Sequence, residues 1–203
     1  MNLALEISNV VGIIAFAIAG SIKAVNKQMD LLGALVMGFS SSLAGGIVAD
    51  LLLGMSPPSN LTYLPYPALA FSSSVAGFVF KKKISKISRP LLYADAIGLG
   101  AFAASGSSLA FSIRPEPLLV IMVGTITAVG GGVVRDILAN EVPMIMEREF
   151  YASAALIGST AYFLLRVLLG LGDPTASTVT FALTLTLRVS AIHLGWKLPR
   201  PKG

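Results

Sequence analysis

The sequence predicts an all-α membrane protein of seven transmembrane helices, arranged as two inverted three-helix repeats followed by a seventh helix. Three observations predict this fold: the composition, the length of the apolar runs and an internal repeat. Of the 203 residues, 55% are hydrophobic and 12% are charged, whereas a soluble domain carries about 25% charged residues. The mean hydropathy is +0.81. We therefore expect one transmembrane domain over residues 1–203.

Seven apolar runs approach the length of a membrane span, since a helix needs about 20 apolar residues to cross the hydrocarbon core. They cover approximately residues 8–25, 31–53, 66–80, 91–111, 117–139, 150–170 and 176–195. The third run is short, but Pro65 and Pro67 suit the start of a helix. The Asp173-Pro174 pair predicts a capped start for the seventh.

An internal repeat divides the chain, because a shift of 86 residues aligns 9–57 with 95–143 without a gap. The matched pairs keep Gly, Asp and Pro in step, and they include Gly12/Gly98, Phe16/Phe102, Gly20/Gly106, Gly38/Gly124, Gly45/Gly131, Gly46/Gly132, Asp50/Asp136 and Pro57/Pro143. Each copy holds three spans, an odd number, so the second copy enters the membrane in the opposite orientation. We predict repeat one over about 8–80, repeat two over about 91–170 and an unpaired seventh helix over about 176–195.

Basic residues in the short loops predict the orientation in the cell membrane, because Lys and Arg of short loops stay on the cytoplasmic side. The strongest signal is the loop with Lys81, Lys82, Lys83, Lys86 and Arg89. It places the N-terminus outside and the C-terminus in the cytoplasm, with Arg114 as the clear exception. The net charge of +5 therefore reflects topology and does not indicate nucleic acid. An added role of Lys81, Lys82 and Lys83 in binding anionic lipid stays open.

Small and hydroxylated residues cluster at one place in the second and fifth spans, from Ser40 to Gly46 and from Thr125 to Gly132. Adjacent glycines weaken a helix by about 1 kcal/mol each. We therefore predict that both spans are interrupted there, with the freed carbonyls facing a permeation pathway. Close helix packing at the same glycines is the alternative. The candidate pathway residues are Ser41, Ser42, Gly45, Gly46, Thr125, Thr127, Gly130, Gly131 and Gly132.

An acidic residue follows each cluster, Asp50 in the first copy and Asp136 in the second, where Arg135 precedes it. Charges within a span are costly and by default face a bundle interior or a wet cavity, so all three residues are predicted to line the pathway. A purely structural ion pair is the alternative. We predict that Arg135 and Asp136 pair at the cytoplasmic end and that Asp50 presents an uncompensated carboxylate nearer the outside. Arg188, in the seventh span, is predicted to extend to the inner interface.

The composition also excludes several site chemistries. With no cysteine, thiolate metal sites and a cysteine nucleophile are not available. The sequence also has no HExxH and no GxSxG motif, and it has one histidine. Asp50 and Asp136 are expected on opposite sides of the midplane, which argues against an aspartyl dyad with carboxylates about 3 Å apart. We expect no enzyme, no cofactor and no firmly assigned metal site.

The stretches Ala44 to Asp50 and Gly130 to Asp136, on the second and fifth of seven spans, resemble those of the prokaryotic trimeric intracellular cation channels, the TRIC family. The similarity extends from Leu3 to Lys197, and the first stretch departs from the motif where Ala49 replaces an arginine. The resemblance implies a homotrimer with a pore in each protomer that passes K⁺, and Na⁺ with limited discrimination.

On the residues alone, two other classes stay open. Paired broken helices in inverted repeats are equally a design of secondary transporters, here for a small solute such as an amino acid. A membrane protein whose glycines serve packing only is the third class.

The orientation is testable by single-cysteine labelling, because the chain has no cysteine of its own. We expect a cysteine placed in the 81–89 loop to resist an impermeant thiol reagent added to intact cells and to react after the cells are opened. Labelling from outside would reverse the predicted orientation.

Overall fold

The computed structural model describes residues 3–80, 89–147 and 150–196, and its secondary structure is entirely helical within these ranges. Seven long helices form the bundle, and a short helix follows each of α2 and α6. In chain order the helices are α1 Leu3–Asn26, α2 Leu31–Leu52, α3 Ser59–Thr62, α4 Pro65–Val79, α5 Pro90–Ile113, α6 Pro117–Leu138, α7 Met144–Glu147, α8 Tyr151–Val167 and α9 Asp173–Leu194.

Each predicted apolar run coincides with one of the seven long helices. Five of them, α1, α2, α5, α6 and α9, have both the length and the hydropathy required to cross a membrane. Helices α4 and α8 contain 15 and 17 residues, fewer than the span of about 20 residues that a bilayer requires. The short helices α3 and α7 are not visible in the apolar pattern, because each is a single turn.

Local sequence explains where the helices begin. Proline occupies the first turn of α4, α5, α6 and α9, where its missing N–H is not needed. Asp30 caps α2 by accepting a hydrogen bond from the Gly33 backbone N–H at 2.8 Å. The predicted capped start at Asp173 is wrong: Gly172 is the N-cap residue and no side chain caps α9. The Asp173 carboxylate instead accepts a hydrogen bond from the Ser108 hydroxyl at 2.7 Å.

Helices α2 and α6 run through their glycines without interruption, so the predicted breaks are wrong. The glycines are needed for contact between the two helices. A Cβ atom at Gly45 would collide with the backbone oxygen of Thr127, and one at Gly131 would collide with that of Ser41. These contacts are reciprocal, because Gly45 and Gly131 are separated by the same 86 residues as Ser41 and Thr127. Close packing, the alternative use of the glycines, is what the structure contains.

The centre of the core is a second reciprocal contact, between α1 and α5. The rings of Phe16 and Phe102 stack with centroids 5.4 Å apart, and their exposed fractions are 0% and 1%. Gly12 lies against the Phe102 ring and Gly98 against the Phe16 ring. Large apolar side chains such as Leu64, Leu118 and Met146 are instead exposed on the outside of the bundle, as in a protein whose outer surface faces lipid.

The contact between α2 and α6 predicts an order of stability among alanine variants. Alanine favours a helix over glycine by about 1 kcal/mol, yet Gly131→Ala should lower the thermal unfolding midpoint because its methyl group meets a backbone oxygen that has little freedom to move. Gly130→Ala is the matched control, since its nearest neighbour is the Gly45 Cα at 3.1 Å. Circular dichroism of the purified protein measures both. A midpoint for Gly131→Ala at or above that of Gly130→Ala would contradict the packing role.

Candidate functional site

A cavity of about 560 Å³ lies at the end of the bundle where α2 and α5 end and α1 and α9 begin. We call it the Asp50 cavity. Residues from all seven long helices and from α3 face it, together with two from the α2–α3 and α3–α4 connections: Leu5, Asn9, Gly46, Ala49, Asp50, Met55, Ser59, Asn60, Tyr63, Tyr66, Ser105, Gly106, Ser108, Leu109, Phe111, Ser112, Thr127, Tyr162, Arg166 and Asp173.

Asp50, on one wall of the cavity, is fully buried. Its Oδ2 atom accepts hydrogen bonds from the backbone N–H and the hydroxyl of Ser59, both at 2.7 Å, and thereby holds the start of α3. Its Oδ1 atom accepts no hydrogen bond from the described part of the chain. Asn60 lies beside it against Gly46, where a Cβ atom would collide with the Asn60 amide. Gly46 therefore makes room for a polar side chain of the cavity wall.

The cavity lining also contains a second carboxylate and a cation that the sequence reasoning did not place in a site. Asp173 is 8% exposed and accepts hydrogen bonds from Ser108 and from the Tyr162 hydroxyl. The Arg166 guanidinium lies 4.7 Å from the centre of the Phe111 ring and donates to the Leu171 backbone oxygen at 3.0 Å. The sequence does contain a signal for Asp173 and Arg166, because each is a charged residue within or beside an apolar run. The position of Asp173 at the start of the seventh run predicts only a helix cap.

A buried ion-pair cluster lies at the opposite end of the bundle, around Arg135. The guanidinium is 0% exposed; its Nη1 lies 2.5 Å from the Asp95 Oδ1 and its Nε lies 3.0 Å from the Asp136 Oδ1. The predicted pairing of Arg135 with Asp136 is confirmed. The sequence reasoning missed Asp95, an acid inside the fourth apolar run, which also accepts a hydrogen bond from the Tyr151 hydroxyl at 3.3 Å.

The cluster continues outward through the end of α1. Lys23 Nζ lies 3.5 Å from the Asp136 Oδ1 and also pairs with Glu141, which pairs in turn with Lys27 at 2.7 Å. Hydrogen bonds from Lys23 and then Lys27 lower the pKa of Glu141 from 4.5 to about 2. Because the folded pKa is the lower one, the stability that these pairs contribute is present above pH 4.5 and is lost as the pH falls toward 2.

Asp136 also holds a short helix, as Asp50 does. Its Oδ2 atom accepts a hydrogen bond from the Met144 backbone N–H at 2.9 Å, at the start of α7. The three cations Lys23, Lys27 and Arg135 and the three acids Asp95, Asp136 and Glu141 leave the ion-pair cluster with no formal net charge.

Arg188 does not extend to the interface, so that prediction is wrong. The residue is 2% exposed, and its guanidinium carbon lies 4.8 Å from the centre of the Tyr151 ring. Tyr151 is 1% exposed and donates to Asp95. The Arg188 guanidinium is therefore stabilised inside the bundle by the Tyr151 ring, next to the ion-pair cluster, and not by water at the membrane interface.

The structure brings some predicted pathway residues together and separates others. Gly46, Asp50 and Thr127 line the Asp50 cavity. Gly45, Gly130 and Gly131 lie in the α2–α6 contact, and Gly132 lies against the Tyr151 hydroxyl. Arg135 and Asp136 belong to the ion-pair cluster. The α2–α6 contact thus lies between the two polar regions.

The predicted hydroxyl groups are mostly engaged within their own helices. Ser42, Thr125 and Thr127 donate to backbone oxygens three or four residues earlier, at 3.1, 2.7 and 2.6 Å, which is the common use of such side chains in helices. Ser41 is fully buried, and its hydroxyl has no hydrogen-bond partner among the described residues. Lys81, Lys82 and Lys83, the predicted lipid-binding residues, lie outside the described residues.

Comparisons with known proteins identify close relatives of this chain. The family model described as glycine transporter matches residues 6–82 and 92–167. A structure solved to explain conductance through TRIC cation channels is 58% identical, with a TM-score of 0.87, over 97% of this chain and 97% of that chain. The crystal structure of a prokaryotic TRIC channel in 0.5 M KCl is 39% identical, with a TM-score of 0.89, over 98% of this chain and 100% of that chain.

A curated relative extends the similarity to another species. The UPF0126 inner membrane protein YadS of Escherichia coli K12 is 35% identical over 202 residues, which cover 94% of this chain and 93% of that protein.

The ion-pair cluster predicts a large loss of stability for Arg135→Ala. The variant leaves the fully buried acid Asp95 without its cation, and breaking a buried pair from one side costs about 3–5 kcal/mol. Arg114→Ala is the matched control, because Arg114 is 67% exposed and pairs with Glu116 at 3.7 Å; such a pair contributes about 1 kcal/mol or less. Equal unfolding midpoints for the two variants would contradict the structural importance of the cluster.

Proposed function

Because this chain belongs to the family that is described as glycine transporter and that includes the TRIC cation channels and the UPF0126 membrane proteins, we propose that it is a channel for monovalent cations. It conducts K⁺, and also Na⁺, passively across the cell membrane. The chain is a membrane protein and not an enzyme, as its relatives are membrane proteins and ion channels. The observation that carries the proposal is the Asp50 cavity, which opens toward one end of a bundle of apolar helices.

The lining of the cavity suits cations. Two buried carboxylates, Asp50 and Asp173, face it together with serine and threonine hydroxyls, and Arg166 is the one basic residue among the lining residues. Acidic side chains line the selective regions of cation channels. We propose that the pathway continues from the cavity along the α2–α6 contact, past Ser41 and Ser42 on α2 and Thr125 and Gly132 on α6, to Arg135 and Asp136.

The topology proposed for this pathway has seven crossing helices in two inverted repeats, within one domain over 1–203, with the N-terminus outside. Support comes from the reciprocal contacts, in which Gly45 faces Thr127 as Gly131 faces Ser41, and Gly12 faces Phe102 as Gly98 faces Phe16. A two-fold axis in the membrane plane relates contacts of this kind. The Asp50 cavity then faces the outside and the ion-pair cluster faces the cytoplasm.

The proposed assembly is a homotrimer, as the name of the trimeric intracellular cation channels states for those relatives. One pore in each protomer is part of the proposal, because a single chain lines the Asp50 cavity. Lipid covers the remaining outer surface, where side chains such as Leu64 and Leu118 are exposed. Anionic lipid at Lys81, Lys82 and Lys83 is part of the same proposal and rests on the charge of that loop alone.

A secondary transporter of a small amino acid is the second candidate. The family description favours it, as does the presence of both Arg166 and Asp50 in the lining of one cavity, because a zwitterion requires a group of each sign. Proteoliposomes distinguish the two candidates. Discrete single-channel current steps carried by K⁺ support the channel, whereas saturable uptake of glycine without current steps supports the transporter.

We expect Asp50→Asn to lower cation conductance in proteoliposomes mainly at low salt. The carboxylate concentrates cations near the outer mouth, and salt weakens this effect over a Debye length of about 8 Å at physiological ionic strength. Asparagine retains an oxygen for the Ser59 N–H, so α3 keeps its hydrogen bond. Asp30→Asn is the control, because Asp30 is exposed at the other end of α2 and asparagine is an equally good N-cap. Equal conductance of Asp50→Asn and wild type at both salt concentrations would remove this role of Asp50.

A further inference from the structure

We propose that the Asp50 cavity contains a discrete binding site for one monovalent alkali cation, and that the ion takes the position that the Arg135 guanidinium occupies in the second copy of the repeat. The inference deepens the proposed function, since it assigns the permeant ion a specific place. It arises from comparing the surroundings of Asp50 with those of Asp136, residue by residue, at the common offset of 86 positions.

Asp50 and Asp136 perform the same structural task. The Oδ2 atom of each accepts a backbone N–H at the start of a short helix, from Ser59 at 2.7 Å and from Met144 at 2.9 Å. Both carboxylates are buried, with exposed fractions of 0% and 1%. Each carboxylate therefore holds its short helix through Oδ2, which in Asp136 also accepts a hydrogen bond from Arg135 Nη2 at 3.3 Å. The other atom, Oδ1, remains to bind something else.

The two Oδ1 atoms have different partners. That of Asp136 lies 3.0 Å from Arg135 Nε and 3.5 Å from Lys23 Nζ. The residues at the positions corresponding to Arg135 and Lys23 are Ala49 and Leu109, and both line the Asp50 cavity. The Oδ1 of Asp50 accepts no hydrogen bond from the described part of the chain. The first copy thus keeps the buried carboxylate, lacks both cationic side chains and has a cavity beside it.

A second buried oxygen without a hydrogen-bond donor lines the same cavity. Asn60 is 4% exposed and lines the cavity, and its Oδ1 atom has no hydrogen-bond donor among the described residues. Leaving a buried polar group unsatisfied costs about 1–3 kcal/mol, and more when the group is charged. A cation bound between the Asp50 and Asn60 oxygens satisfies both. Carboxylate and amide oxygens are the ligands that hard cations prefer.

The charge of the site indicates a monovalent ion. In the second copy the guanidinium lies between two acids, Asp95 and Asp136. The residue corresponding to Asp95 is Asn9, which lines the Asp50 cavity and donates to the Tyr66 hydroxyl at 3.4 Å. One carboxylate remains on this wall of the cavity. No group of three Asp, Glu, His or Cys suited to a metal is present among the described residues, so the wall offers less charge than divalent cations usually require.

The test measures binding at equilibrium and does not depend on conduction. The thermal unfolding midpoint of the purified protein is compared in KCl and in N-methyl-D-glucamine chloride at equal ionic strength. A ligand that binds only the folded state raises the midpoint, so we expect K⁺ to raise that of the wild type. Asp50→Asn should lose this rise, and Asp30→Asn, which alters an exposed acid, should keep it.

Ala49→Arg supplies the missing guanidinium on the chain itself. Since Ala49 precedes Asp50 as Arg135 precedes Asp136, the variant should lose the effect of K⁺ and should be more stable than Ala49→Leu in the absence of K⁺. If both Ala49 variants fail to fold, Tl⁺ soaked into wild-type crystals decides the question, with anomalous density expected at Asp50 Oδ1 and none expected in Asp50→Asn.

An equal effect of K⁺ on wild type and Asp50→Asn, or Tl⁺ density elsewhere only, overturns the site. A larger rise with Ca²⁺ or Mg²⁺ than with K⁺, lost in Asp50→Asn, overturns its assignment to monovalent ions. If proteoliposomes show K⁺ flux but K⁺ does not stabilise the protein, the site is refuted and the proposed function is not. If K⁺ stabilises the protein through Asp50 but no flux is measured, the site is supported and the proposed function is refuted.

Discussion

Backbone contact between α2 and α6 is the constraint on which the rest of the structure depends. Gly45 and Gly131 allow each helix to touch a backbone oxygen of the other, and this contact sets the distance between the halves of the bundle. Helix packing in a membrane relies on such small residues, because apolar side chains gain little by leaving lipid for protein. The contact also separates the Asp50 cavity from the ion-pair cluster, so the two polar regions are held at opposite ends of the same pair of helices.

The two ends differ in how they treat a buried carboxylate. At the ion-pair cluster, Arg135 and Lys23 neutralise Asp136, and the six charges of the cluster balance. At the Asp50 cavity, Ser59 satisfies one oxygen and no side chain of the described chain satisfies the other. One framework thus contains a neutralised carboxylate at one end and an unneutralised one at the other. The difference arises at positions 49 and 109, where alanine and leucine stand in place of arginine and lysine.

The positions of the long helices could be predicted from the sequence, because a run of apolar residues has one stable form in lipid. The Arg135–Asp136 pair was predictable for a similar reason, since a charge in a span requires a partner. The role of the glycines could not be predicted from the sequence, because a pair of glycines permits either a helix break or a close helix contact. Which of the two occurs depends on the opposing helix. Asp95, Asp173 and Arg166 were missed because their partners are 40 residues away or are aromatic rings and hydroxyls of other helices.

The reciprocal contacts restrict how the two halves of this gene can diverge. A side chain at position 45 would collide with the Thr127 backbone oxygen, and one at position 131 with that of Ser41. A mutation at either position in one half is therefore limited by the backbone of the other half. Positions on this shared surface therefore cannot drift independently. Positions 49 and 135 face separate surroundings, one a cavity wall and the other an ion-pair cluster. Such positions can differ between the two halves without a clash, and the chain carries alanine at one and arginine at the other.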